Sequence, residues 1–220
     1  MRRKAAVTFK WANSRRIALA PYIAACIAAP AVAFWPAAPA LAQFSESYKF
    51  LDAVRKKDGD KVNEALQNPA SQIVNTKDVS TGETALHIVT QRRDLLWMQF
   101  LVGKGANVNA RDNKGTTPLV IATNLAFLEG VDFLISVGAR VDDPNNTGET
   151  PLITAVHGHN MALVRALLKA GANPDRPDNS GRSARDYAAL DHSQSISDEL
   201  ESAAKKRQSG KAAQTYGPTF

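Results

Sequence analysis

Short apolar runs alternate along the chain with longer amphipathic ones. Residues 86–90, 119–123 and 152–156 are compact and largely apolar. Each is followed after a tight connection by a longer run, 95–103, 128–137 and 161–170. Apolar residues three and four apart in the longer runs predict helices with one buried face. The pattern therefore predicts paired helices, short then long. Between pairs, residues 107–114, 140–147 and 173–180 are rich in Asn, Asp and Pro, and read as extended hairpins projecting from the helices.

The pairs repeat with a period of 33. Gly82, Gly115, Gly148 and Gly181 are in register, and two residues after each stands Thr84, Thr117, Thr150 or Ser183. These hydroxyls suit a helix N-cap, and Pro118 and Pro151 suit the first helical position. Gly105-Ala106, Gly138-Ala139 and Gly171-Ala172 recur after the longer helices, where a left-handed residue ends a helix. Leu101, Leu134 and Leu167 form one apolar column, and Val102, Ile135 and Leu168 the next. One such pair cannot bury its apolar face alone, so neighbours must stack.

The columns resemble the ankyrin repeat, whose hallmark is Gly-x-Thr-Pro-Leu-His at the start and Gly-Ala-x-x-Asn at the end. The matching segments are Gly82-Glu83-Thr84-Ala85-Leu86-His87, Gly115-Thr116-Thr117-Pro118-Leu119-Val120 and Gly148-Glu149-Thr150-Pro151-Leu152-Ile153. The resemblance implies an all-α solenoid with short β-hairpin fingers, with full repeats at 79–111, 112–144 and 145–177. Residues 43–78 read as an N-terminal capping helix pair around Asp58-Gly59-Asp60, and 178–204 as a C-terminal capping repeat. Residues 205–220, polar and aperiodic, read as a disordered tail. The glycine usual between the two helices of a repeat is replaced by Arg93, Ala126 and His159. Residues 67–78, with Pro69, are longer than a plain hairpin, so an irregular first interface is expected.

Charge is distributed unevenly. Six of the 27 basic residues and none of the 21 acidic ones fall in residues 1–42, so the formal charge of +6 belongs to that segment. A basic surface for nucleic acid is not supported. The segment reads as a signal peptide: a basic start, an apolar Ala-rich run over 17–35, and Ala40-Leu41-Ala42 before Gln43 as a cleavage pattern. A periplasmic or secreted protein is expected. An uncleaved anchor and lipidation at Cys26 are the alternatives that would leave it on a membrane, and Arg15-Arg16 leaves Sec and twin-arginine routes both open. Cys26 is the one cysteine, so the cleaved chain would have no disulfide, thiolate ligand or thiol nucleophile.

Candidate chemistry is sparse. His157 and His159 alternate like a metal pair but lack a third ligand, and His87 sits where the resembled family uses a structural histidine. Gly103-Lys104-Gly105 lacks phosphate-loop spacing. Asp142-Asp143 and Asn145-Asn146 suit turns as well as Ca²⁺. Trp97, Met98 and Phe100 suit packing between repeats. No catalytic residue, metal or cofactor is expected, and no small-molecule substrate.

The resemblance implies a monomer that binds a protein partner on its concave face. Positions carried over by register are Ser80, Thr81, Glu83, Gln91 and Arg92 in the first repeat. Arg111, Asn113, Lys114, Thr116, Asn124 and Leu125 follow in the second, and Asn146, Thr147, Glu149 and His157 in the third. Arg92, Arg111 and Lys114 are expected to form a cationic patch on this face. An accessory subunit or catalyst of a periplasmic enzyme, using His157 and His159, and a secreted effector acting on a host protein are the other readings.

Overall fold

The computed structural model describes residues 38–67 and 72–215, with side chains for 46–67 and 72–206. Nearly all of the expected leader lies outside the described residues, as do residues 68–71. Ten α-helices are described: α1 Ala38–Lys56, α2 Gly59–Ala65, α3 Ala85–Gln91, α4 Leu95–Gly103, α5 Pro118–Asn124, α6 Leu128–Ser136, α7 Pro151–His157, α8 Met161–Lys169, α9 Ala184–Leu190 and α10 Gln194–Thr215. Odd-numbered helices form an inner row and even-numbered helices an outer row. Among the described residues no helix is long and apolar enough to cross a membrane.

The expected columns build this stack. Thr117 Oγ1 accepts from Val120 N, and Thr150 Oγ1 from Ile153 N. Ser183 and Asp186 cap α9 reciprocally, which satisfies two backbone donors at once. Leu86, Leu119 and Leu152 of the inner row are buried with Leu101, Leu134 and Leu167 of the outer row. Gly105, Gly138 and Gly171 have φ of +88°, +91° and +94°, the left-handed cap their position required. The positions where a glycine is replaced are also left-handed: Arg93, Ala126 and His159 have φ of 56°, 51° and 48°.

Three expectations are corrected. The fingers are not β-hairpins: among the described residues none pairs in a strand. Each finger is one turn nucleated by an Asx side chain. Asp112 Oδ1 accepts from Lys114 N and Thr116 N, and Asn145 and Asp178 do the same one and two repeats later. A loop this short closes on one side chain and leaves no length for a ladder. Residues 205–215, expected to be irregular, continue α10, because Ala, Lys, Arg and Gln dominate there and favour helix. The first interface is more regular than residues 67–78 suggested. Asn107 N donates to Asn75 Oδ1 at 2.7 Å, the bond that Arg140 N makes to Asn109 Oδ1 and Asn173 N to Asp142 Oδ1.

At the first end of the stack, α1 starts earlier than the expected degenerate helix and contains Ala40-Leu41-Ala42.

Candidate functional site

The concave face consists of the finger row and the exposed ends of the inner helices. Neighbouring fingers are joined by two hydrogen bonds per step. Asn113 N donates to Thr81 O and its side-chain amide to Ser80 O. Asn146 bonds Lys114 O and Asn113 O in the same way, and Asn179 bonds Thr147 O and Asn146 O. All six distances are 3.0–3.1 Å. Arg111 braces the row from behind, donating to Pro144 O at 2.6 Å, and Lys77 donates to Arg111 O at 2.7 Å.

Beneath the first and third fingers a second brace reaches the end of an inner helix. Gln91 Nε2 donates to Glu83 Oε1 at 2.6 Å. One step of 66 residues later, His157 Nδ1 lies 3.3 Å from Glu149 Oε1, which also accepts from Thr154 Oγ1. The His157 ring meets the Tyr187 ring edge-on, with centroids 4.4 Å apart. Tyr187 Oη donates to Asp178 Oδ2 at 2.7 Å. Hydroxyls of Ser180 and Tyr187 therefore hold the Asp178 carboxyl well below the usual carboxylate range. The Ser80 hydroxyl, then the Arg55 guanidinium, do the same for Asp78.

His87 has a structural environment. Thr84 N donates to Nδ1 at 3.1 Å, which leaves Nε2 to donate to Thr116 O at 3.0 Å. Both contacts suit the neutral ring, and burial pushes its pKa below the ordinary histidine value.

The expected site residues thus separate by task. Ser80, Thr81 and Thr147 close their own turns through their hydroxyls, and Asn113 and Asn146 tie the fingers. Thr116 is half-buried and accepts from His87. Two placements correct the sequence reading. Arg92 is half-buried and donates to Val54 O and Arg55 O, with Trp97 against its guanidinium. Leu125 is half-buried against the core, and its carbonyl accepts from Arg93. The expected cationic patch therefore does not form, because Arg92 and Arg111 are spent on carbonyls of neighbouring units. Lys114, Asn124 and His157 remain exposed on this face.

His157 and His159 do not converge. His159 turns to Ser193 Oγ at 3.2 Å, and no group of three metal-ligating side chains occurs among the described residues. Asp142 accepts from Asn173 N and Asp143 pairs with Arg140, so turn and inter-repeat bonds account for this acidic pair. Trp97 packs edge-on to Phe100 against the core.

A family model for ankyrin repeats in three copies matches residues 50–145. A second, for ankyrin repeats in many copies, matches residues 134–188. The chain belongs to the ankyrin-repeat family. A search of curated proteins gives no match. Ankyrin repeats typically mediate protein–protein interaction and are usually non-catalytic, and no catalytic domain is matched.

The sequence reading stopped this ankyrin face one unit short. Continuing the period past residue 157 puts Arg182 in the Thr116–Glu149 column, Leu190 in the Asn124–His157 column, and Tyr187 in the Ile121–Thr154 column. These three residues extend the face onto the last unit. The signal is the same 33-residue period, which the capping assignment of 178–204 hides.

Proposed function

We propose that this ankyrin-repeat protein is a non-enzymatic binding module that holds a protein partner on its concave face, and that it acts outside the cytoplasm after removal of residues 1–42. The observation that carries the binding proposal is the double hydrogen-bonded finger row, which fixes the exposed side chains in one arrangement before any partner arrives. A surface ordered in advance loses less conformational freedom on binding. The basic, Ala-rich leader ending in Ala40-Leu41-Ala42 supports export.

A photocrosslinking residue at Asn124, on the inner row, is expected to capture a partner in cells; the same residue at Gln99, exposed on the outer row, is not. Capture from Gln99 alone would overturn the concave-face reading. For export, mass spectrometry of the protein from the extracytoplasmic fraction is expected to give Gln43 as the first residue. An intact Met1 or a lipidated Cys26 would contradict it.

A further inference from the structure

Side-chain hydrogen-bonding capacity on this molecule is largely used internally, and the arginines show it best. Arg55, Arg140, Arg165 and Arg185 are paired with carboxylates. Arg92, Arg93 and Arg111 donate to backbone carbonyls of neighbouring units. Arg182 differs. Its guanidinium lies over the Tyr187 ring, 5.9 Å from the centroid, and makes no hydrogen bond or ion pair among the described residues. Two carboxylates of the same unit bond other groups: Asp178 accepts from Ser180, Tyr187 and the Arg182 backbone N–H, and Asp186, which feels the Arg182 charge, accepts from Ser183 N and Oγ.

The register explains why Arg182 is free. In the first and third units a side chain at this column is braced to the inner-helix end eight residues on, Glu83 to Gln91 and Glu149 to His157, whereas Thr116 and Asn124 of the second do not bond each other. In the last unit the same positions hold Arg182 and Leu190, which cannot bond each other. Leu190 is 56% exposed. The brace is thus replaced by an open planar donor fork over Tyr187, whose ring meets His157, with an exposed aliphatic side chain at the matching helix-end position. A guanidinium on an aromatic face is suited to a carboxylate, which it can bind through two parallel N–H bonds.

Resting on the concave-face reading, we propose that the last unit is the anchor point of the surface, and that it takes a protein segment presenting an Asp or Glu carboxylate to Arg182 next to an apolar side chain that covers Leu190 and Tyr187.

The test is selection of peptides from a random library displayed on phage, using the full chain as bait, followed by fluorescence anisotropy with a labelled selected peptide. Selected sequences are expected to pair an acidic residue with a Leu, Ile or Phe neighbour. Arg182→Glu should weaken binding by about tenfold or more, Leu190→Ser by several-fold, and Arg182→Lys should restore only part of the loss because the fork is gone. Because the Arg182 side chain makes no hydrogen bond, and its backbone bonds to Asp178 survive substitution, these variants are expected to melt with the parent. Should Arg182→Glu lower the melting temperature, Arg182→Gln is to show the same loss of binding at parental stability. Basic or uncharged consensus sequences, or acidic peptides bound equally by Arg182→Glu, overturn the proposal. Peptide binding lost in Lys114→Glu and retained in Arg182→Glu overturns it while leaving the concave-face reading intact. Failure of both substitutions to alter binding removes both.

Discussion

Ala126 offers a direct measure of what the missing inter-helix glycines cost. It joins α5 to α6 at φ 51°, and the turn around it is fully bonded: Ala126 N donates to Thr123 O and Phe127 N to Ala122 O. That is the C-cap pattern in which glycine is usual. At three equivalent positions the left-handed residue ties itself to the next unit, through Lys57 to Asp94, Arg93 to Leu125 O and His159 to Ser193. Ala126 is exposed and its methyl group has no polar partner to lose. A left-handed L-residue costs roughly 1–2 kcal/mol, while glycine adds about 0.5–1 kcal/mol of unfolded-chain entropy. Ala126→Gly should therefore stabilise the protein by about 0.5–1 kcal/mol.

The control is the same substitution within a helix. Ala166 lies in the middle of α8, where Ala→Gly should destabilise by about 1 kcal/mol. Urea denaturation followed by circular dichroism and by Trp97 fluorescence measures both, and coincident curves test whether the stack unfolds as one unit. Opposite signs are expected for one chemical change at two sites. If Ala126→Gly destabilises as Ala166→Gly does, the left-handed strain is not stored at the inter-helix turn and the reasoning fails.

Other outcomes follow from the same geometry. Gly138→Val should destabilise by more than about 1 kcal/mol from backbone strain alone, since a Cβ there meets nothing within 4 Å. Gly148→Val should cost more, because a Cβ at Gly148 would come within 2.5 Å of Asn179 N; thermal melts rank the pair. Asn146→Ala removes one finger bond while leaving the backbone bond, and should cost about 1 kcal/mol in urea. His87 has a depressed folded pKa, so its stabilising contribution is complete above the unfolded value of 6.5 and is lost as pH falls from there towards the folded value. Stability measured from pH 7.5 to 5.5 should therefore fall, and His87→Gln, less stable at neutral pH, should flatten that dependence.

The helix pairs were legible because their determinants recur. A Thr or Ser cap, an apolar column and a glycine before alanine each return after 33 residues, and each acts within its own unit. The task of a polar residue was less legible. Arg92 reads as an exposed cation until the carbonyl of Val54, 38 residues earlier, is placed beside it. Asn113 and Asn146 look like finger-tip contacts for a partner, and their amides are taken up by the preceding finger. Spacing identifies which residues share a column. It does not show whether a neighbouring backbone has already claimed the side chain. Arg182, Tyr187 and Leu190 were legible by the same period, had it been continued through a unit whose apolar pattern is weaker.

This division decides how binding to the concave face can be dissected. Asn113 and Asn146 hold the fingers in register, and Glu83 and Glu149 hold fingers to inner helices, so a substitution at any of them moves its neighbours as well as removing a surface group. Loss of a partner on Asn146→Ala would report a displaced finger as readily as a lost contact. Among the described residues the side chains of Lys114, Asn124, Arg182 and Leu190 make no hydrogen bond to another unit, so their replacement alters what the partner meets and leaves the framework in place. A partner that depends on the first group and is indifferent to the second recognises the spacing of the fingers. One that depends on the second reads the chemistry of this particular chain. The two cases separate when binding is measured at matched melting temperature, because only framework losses are recovered by restabilising the stack, for which Ala126→Gly supplies a change remote from Arg182 in sequence.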